Sequence, residues 1–223
     1  MTNALNRFAL ITALTTMPLL AWAQSGEGGA LPPDIDPESL SRLPALERSD
    51  LDAEGQRVYD LVVGDGPPPR TGPAAVSLYS PKVAEGFHIL NDYLRRHGEL
   101  EPRDFEVAIL IAAWEFEQAY EWSAHEAAAR RVGVPDAVID TIKHDREIEN
   151  LSPKDSLIIR FGRQLFRQHE LDSATFAEAV EHFGERGTVE LAAIMGDYVM
   201  AGLVLTAVDQ HLPEDRPNTL PAR

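Results

Sequence analysis

The stretch Glu101-Pro-Arg-Asp-Phe-Glu106-Val-Ala-Ile-Leu-Ile-Ala-Ala-Trp114-Glu-Phe-Glu-Gln-Ala-Tyr120-Glu121-Trp122-Ser-Ala-His125 carries most of the argument for the fold. Glu101-Pro102 is a helix start, because proline at the first helical position gives up an amide that has no intrahelical partner. From Val107 to Trp114 every residue is apolar, so the helix has no face suited to water and has to run through the middle of a bundle. The following residues to Gln118 contain neither glycine nor proline, so local sequence predicts one continuous helix through His125.

Further helices lie on both sides. Ser49 and Asp52 have capping-box spacing before Val58, Leu61 and Val62. Gly64 to Pro73 forms a stiff, glycine-bounded loop, and Ser80-Pro81 begins a helix that reaches about His97, before Gly98. Gly133-Val134-Pro135 separates one helix from a short one over residues 136–143. Ser152-Pro153 starts another, with Leu157, Ile158, Phe161, Leu165 and Phe166 on one face. Asp172 caps a helix closed by Gly184, and a last one spans about Thr188 to His211. Its apolar run from Leu191 to Val208 would suit a membrane in length, but Asp197 near the centre would cost about 2.5–3.5 kcal/mol there. A buried bundle helix, with Asp197 as a partnered structural carboxylate, is expected. With no alternating strand pattern, the fold class is all-α, a bundle of about seven or eight helices.

The ends read differently. Arg7, the mostly apolar residues 8–20 and Ala21-Trp22-Ala23 read as a secretory signal peptide over residues 1–23, expected to be cleaved after Ala23; the alternative, an uncleaved anchor, is disfavoured by an apolar run shorter than the roughly 20 residues a span requires. Residues 24–48, rich in glycine and proline, read as a flexible leader. The folded domain occupies 49–214 and a tail 215–223. The chain of 223 residues holds 20 Lys and Arg against 36 Asp and Glu, a net charge of −16, so nucleic acid and an anionic membrane are poor partners for the mature form. Localisation is expected outside the cytoplasm, periplasmic or secreted. Cysteine is absent, which excludes disulfides, thiolate metal sites and every thiol nucleophile.

Chemistry concentrates around His125. Glu117, Glu121 and His125 recur every four residues and share a helix face. A carboxylate one turn from an imidazole can orient the ring, fix its tautomer and raise its basicity; the same spacing also serves a solvated surface pair. Glu126 is expected on the exposed face. On one straight helix Glu106 would lie about 28 Å from His125 at 1.5 Å per residue, too far to cooperate.

The segment from Glu106 through Tyr120-Glu121-Trp122-Ser-Ala-His125 to Ala129 and Gly133 resembles the carboxymuconolactone decarboxylase family of the AhpD-like superfamily. The resemblance implies an AhpD-like helical fold assembling as a homo-oligomer, trimer or hexamer, and requires a helix break near residues 115–119. In the alkylhydroperoxidase branch two cysteines would fall at Gln118 and Glu121, so a self-contained thiol peroxidase cycle is closed to this chain. In the decarboxylase branch a glutamate stands where Glu121 does, and the chemistry needs neither metal nor organic cofactor. The implied activity is an acid–base lyase or isomerase acting on a small carboxylated, lactone-like or aromatic-derived molecule. His125 would be base or acid, Glu121 its orienter and Glu106 a second proton-transfer group. The alternative is a non-catalytic small-ligand-binding protein on the same fold. Arg70, His88, Tyr93, Tyr120 and Trp122 are candidates for substrate contact, each with a structural reading beside it. Zinc on Glu106, Glu121 and His125 is conceivable, but no second histidine lies at ligand spacing, and no metal is assigned.

Overall fold

The computed structural model describes residues 31–222, so the expected signal peptide and residues 24–30 of the leader lie outside the described residues. Among the described residues there are eight α-helices: α1 (Ala53–Val63), α2 (Gly72–Ser77), α3 (Pro81–Arg96), α4 (Pro102–Glu115), α5 (Ala119–Arg131), α6 (Asp136–Lys143), α7 (Pro153–Gln168) and α8 (Ser173–Ala207). Helix α4 is the axis of the bundle. All residues from Asp104 to Trp114 are buried, because α5, α6, α7 and α8 pack around it. Ile109, Leu110 and Ile111 are at most 2% exposed, and burying each such side chain stabilises the fold by roughly 1.5–3 kcal/mol. Where α7 crosses α4 the contact is so close that a Cβ on Gly162 would meet Ile111 Cγ2 at 2.5 Å.

Most helix starts follow the expected chemistry. Ser152 accepts a hydrogen bond from the Asp155 amide at 3.1 Å and Asp172 from the Thr175 amide at 2.7 Å. For α1 the N-cap is Asp52, bonded to the Gly55 amide, while the reciprocal capping box belongs to Glu47 and Asp50 around a 3-10 turn; the pairing of Ser49 with Asp52 is thereby corrected. Gly184, with φ 71° and ψ 172°, breaks α8 into segments 173–183 and 185–207, as its sequence position predicts. The short helix α2 takes Gly72 and Pro73 out of the expected loop and continues to Ser77 through residues to which the sequence assigns no element.

The predicted continuous helix through residues 101–125 is not formed. It ends at Glu115, where the Gln118 amide reaches back to the Ala113 carbonyl (2.8 Å) and the Glu117 amide to Trp114 (3.1 Å). This is a Schellman closure with Glu117 at φ 51° in the position glycine usually takes. Gln118 then caps α5 through the Tyr120 amide and is anchored on the Gly202 carbonyl of α8 at 3.0 Å.

Residues 31–48 are not a free leader. The Arg42 amide donates to the Val208 carbonyl, the His211 amide to the Leu40 carbonyl, and Ile35, Ser39 and Ser41 are buried. The tail also packs: Arg216 lies over the Tyr120 ring at 4.3 Å, the Thr219 hydroxyl donates to Glu126, and Leu220 touches the main core. Helix α8 is long and apolar enough to cross a membrane by length and composition, with 56% of that window buried inside the bundle.

Candidate functional site

The reversal at Glu117 turns α5 back along α4, and the separation of Glu106 from His125 collapses to hydrogen-bond length. His125 Nδ1 and Glu106 Oε2 are 2.6 Å apart. Glu121, one turn earlier on α5, places Oε2 at 3.5 Å from the other ring nitrogen, Nε2. The imidazole is thus held between two carboxylates. Both glutamate side chains are buried, whereas the His125 side chain keeps 12% exposure, so the ring is the member of the trio that reaches the surface.

A second ring of contacts comes from α3 and α8. The Tyr198 ring meets the His125 ring edge-on, with centroids 4.9 Å apart and planes at 84°. Arg95 lies over Phe105 at 4.6 Å, donates to Glu106 Oε1 at 3.4 Å and also bonds the Tyr198 hydroxyl. Asn91, one turn before Arg95, uses every polar atom of its amide. Its Nδ2 donates to Asp197 Oδ2 (3.0 Å) and to the Tyr198 hydroxyl (3.3 Å), while its Oδ1 accepts from Arg95 Nε (2.9 Å). Contacts therefore run in a closed circuit from Glu106 through His125, Tyr198, Asn91 and Arg95 back to Glu106. Networks of this kind hold side chains in one geometry.

The electrostatics follow the geometry. Burial works against charging the His125 ring, but Glu106 first and Glu121 second outweigh it and raise its pKa above the ordinary histidine value. Burial pushes Asp197 up to about 6, against the opposing pull of Asn91 and Arg95 and with help from the charge of Glu121. The Tyr198 phenol is raised as well, chiefly by burial. Chemically, a ring with carboxylates at both nitrogens can take a proton at one and be held in a fixed tautomer at the other. Among the described residues no group of three or more His, Asp or Glu side chains is arranged to hold a metal ion.

The remaining candidates are placed elsewhere. Arg70 pairs with Glu47 (2.5 Å) and Glu38 (3.1 Å), tying its loop to residues 38–47. Tyr93 donates to Glu190 at 2.5 Å, and Arg186 stacks on its ring. Tyr120 bonds Thr71 at 2.8 Å and Arg216 at 3.2 Å. Trp122 is fully buried, with Nε1 on Glu126 Oε2 at 3.0 Å. His88 is half-buried one turn before Asn91 and is not among the side chains hydrogen-bonded to the trio. Glu126 is not exposed but 4% accessible, because Trp122, Lys143, Arg130 and Thr219 all converge on it. Asn91, Arg95, Asp197 and Tyr198 are site residues that the motif did not point to; the signal available was the polar Asp197-Tyr198 pair interrupting an apolar helix.

Solved structures share this architecture. An alkylhydroperoxidase AhpD core, an uncharacterized peroxidase-related protein from Ralstonia eutropha JMP134, superposes with TM-score 0.63 at 19% identity, covering 79% of this chain and 94% of that one. An uncharacterized peroxidase-related protein from Silicibacter sp. TM1040 gives TM-score 0.62 at 16% identity over 82% and 95%. A variant of the debrominase Bmp8 in complex with 2,3,4-tribromopyrrole gives 0.58 at 16% over 77% and 91%. No curated protein matches the chain. The fold is thus the AhpD-like all-helical class. Within it, residues 81–154 match the Carboxymuconolactone decarboxylase family. The matched segment contains Glu106, Glu121 and His125, and ends before Asp197 and Tyr198.

Proposed function

We propose that this protein is an exported, cofactor-free acid–base enzyme, a lyase or isomerase acting on a small carboxylated, lactone-like or aromatic-derived molecule. The observation that carries the reading is the 2.6 Å contact between His125 Nδ1 and Glu106 Oε2, made across a helix reversal and almost wholly buried. Such a contact fixes the ring orientation and favours a proton on Nδ1, leaving Nε2 to exchange protons beside Glu121. The roles of the two glutamates are accordingly the reverse of those expected from the motif: Glu106 orients, and Glu121 stands at the working nitrogen. The fold neighbours include peroxidase-related proteins, but a chain with 0 cysteines cannot run a thiol peroxide cycle. The debrominase holding a bromopyrrole supports a ligand of small-ring size. The apolar N-terminal segment ending in Ala21-Trp22-Ala23 supports export to the periplasm or beyond.

The test is an NMR screen of the purified protein in deuterated water against lactones, enol acids and hydroperoxides. Turnover or solvent deuterium incorporation is expected with the first two groups and is expected to vanish in His125→Ala. Binding without exchange in every compound would replace this reading with the ligand-binding one.

A further inference from the structure

Asp197 occupies an unusual position on α8. It is 3% exposed, its Oδ2 accepts from Asn91, and its Oδ1 has no hydrogen-bond partner. Asn91 cannot turn over to serve it differently, since its carbonyl is taken by Arg95 Nε and its amide nitrogen also serves Tyr198. A proton carried by Asp197 therefore belongs on Oδ1. One other buried oxygen of the site lacks a partner in the same way, Glu121 Oε1, on a residue 3% exposed. Leaving the Asp197 carboxylate ionised with one oxygen buried and unpaired is costly, and taking up a proton on that oxygen is the least expensive relief.

We propose that Asp197 is the third carboxyl of the site, a positioning residue that holds a proton on Oδ1 and, by keeping or releasing it, sets the charge against which Glu121 and His125 exchange theirs. This rests on the reading of His125 as a proton-transfer group. The coupling has a physical route: Tyr198, the next residue, lays its ring against His125, and the charge of Glu121 is felt at both Asp197 and Tyr198. The charged groups acting on Asp197 are Arg95 from α3 and Glu121 from α5. Glu106 of α4 lies one contact further away through Arg95, and His125 through Tyr198. Helix α2 has no titratable residue. The charges of α7 are committed elsewhere, Lys154 to Asp104, Asp155 to Arg103, Arg160 to Glu178, and Arg163 and Arg167 to Asp145. With burial dominant, the carboxyl loses its proton at about pH 6, within the range where a histidine site works.

The experiment is an NMR titration of the purified protein without any substrate, following the side-chain carboxyl carbons and the His125 ring signals. In the wild type the Asp197 carbon is expected to titrate near about pH 6, with a matching inflection in the His125 signals. In Asp197→Asn that inflection disappears and the His125 midpoint moves down, since a negative neighbour has been removed. Asn91→Ala, which deletes the donor to Oδ2, moves the Asp197 midpoint up. An Asp197 carbon titrating at the ordinary value near 3.9, or a His125 curve unmoved by Asp197→Asn, overturns the proposal; a merely structural aspartate would give that second result. If Asp197→Asn does not fold, the wild-type carbon and the Asn91→Ala shift decide. Because no turnover is read, an inert protein with the coupled titration intact would sink the enzyme reading and leave this one standing.

Discussion

Glu126 follows His125 directly in the chain, yet the two do opposite work. Its Oε1 takes Lys143 and Arg130 at 2.9 Å each, and its Oε2 takes Trp122 and Thr219. Against the cost of burial these donors, Thr219 first among them, hold its carboxyl at about 2. A depressed carboxylate contributes stability above its unfolded value of 4.5 and loses it as pH falls toward 2. Acid unfolding is therefore expected to begin below about pH 4.5, and Glu126→Ala to remove that step from a pH series of thermal melts. Because it strands Lys143 and leaves Thr219 and Trp122 without their acceptor, Glu126→Ala is expected to cost about 3 kcal/mol in a denaturant titration. Glu106→Gln should behave in the contrary way, with a small change in stability but a His125 midpoint shifted down and turnover reduced roughly 10²–10⁴-fold. A rate within threefold of wild type would remove Glu106 from the mechanism. The Glu121–His125 pair was legible from spacing alone. Glu106 was not, since its contact exists only after the chain reverses, and only the family resemblance named it beforehand. Asn91 and Asp197 sit 106 positions apart, and no local pattern connects them.

Helix beginnings were readable because they are written in side chains: Ser80-Pro81, Glu101-Pro102, Ser152-Pro153 and Asp172 all precede helices where expected. Endings were less so. Helices α4, α5, α6 and α8 all close with the same paired backbone bonds, but the left-handed position is held by Glu117, Gly133, Asp145 and Asp209 respectively, and only the glycine announces itself. Helix α7 ends on His169, exposed, with φ 58° and ψ 27°. A side chain in this conformation costs about 1 kcal/mol that glycine avoids. His169→Gly is thus expected to raise stability by about 0.5–1 kcal/mol, while Gly184→Ala at φ 71° and ψ 172°, a conformation essentially reserved to glycine, should lower it by about 1–3 kcal/mol. Equal and unchanged melting curves for both would contradict the argument. Helix α2, six residues over Gly72–Ser77, is too short for its sequence to show a period.

At the scale of the whole molecule, the bundle leaves apolar side chains uncovered along one seam. Val83, Leu90, Met200 and Leu203 are 37–56% exposed on α3 and α8, beside a narrow apolar cleft formed by Pro73, Val83, Phe87 and Val204. The homo-oligomer that the family resemblance implies would bury such a surface. Sedimentation at micromolar concentration is expected to show more than one copy and Leu203→Glu to dissociate it; a wild-type monomer across that range would dispose of the assembly. At the opposite end, the chain closes upon itself: Arg42 bonds Val208, His211 bonds Leu40, and the Gln210 amide caps the carbonyls of Ser39 and Leu40 across up to 171 positions. A ribosome delivers the early half of this clasp first and its partner only when residue 211 has been made. The contacts of Ser39, Leu40 and Arg42 with residues 208–211 must therefore wait while every intervening helix is synthesised. A contact that spans up to 171 positions closes only after the polypeptide between its ends has been produced, so its closure reports that production.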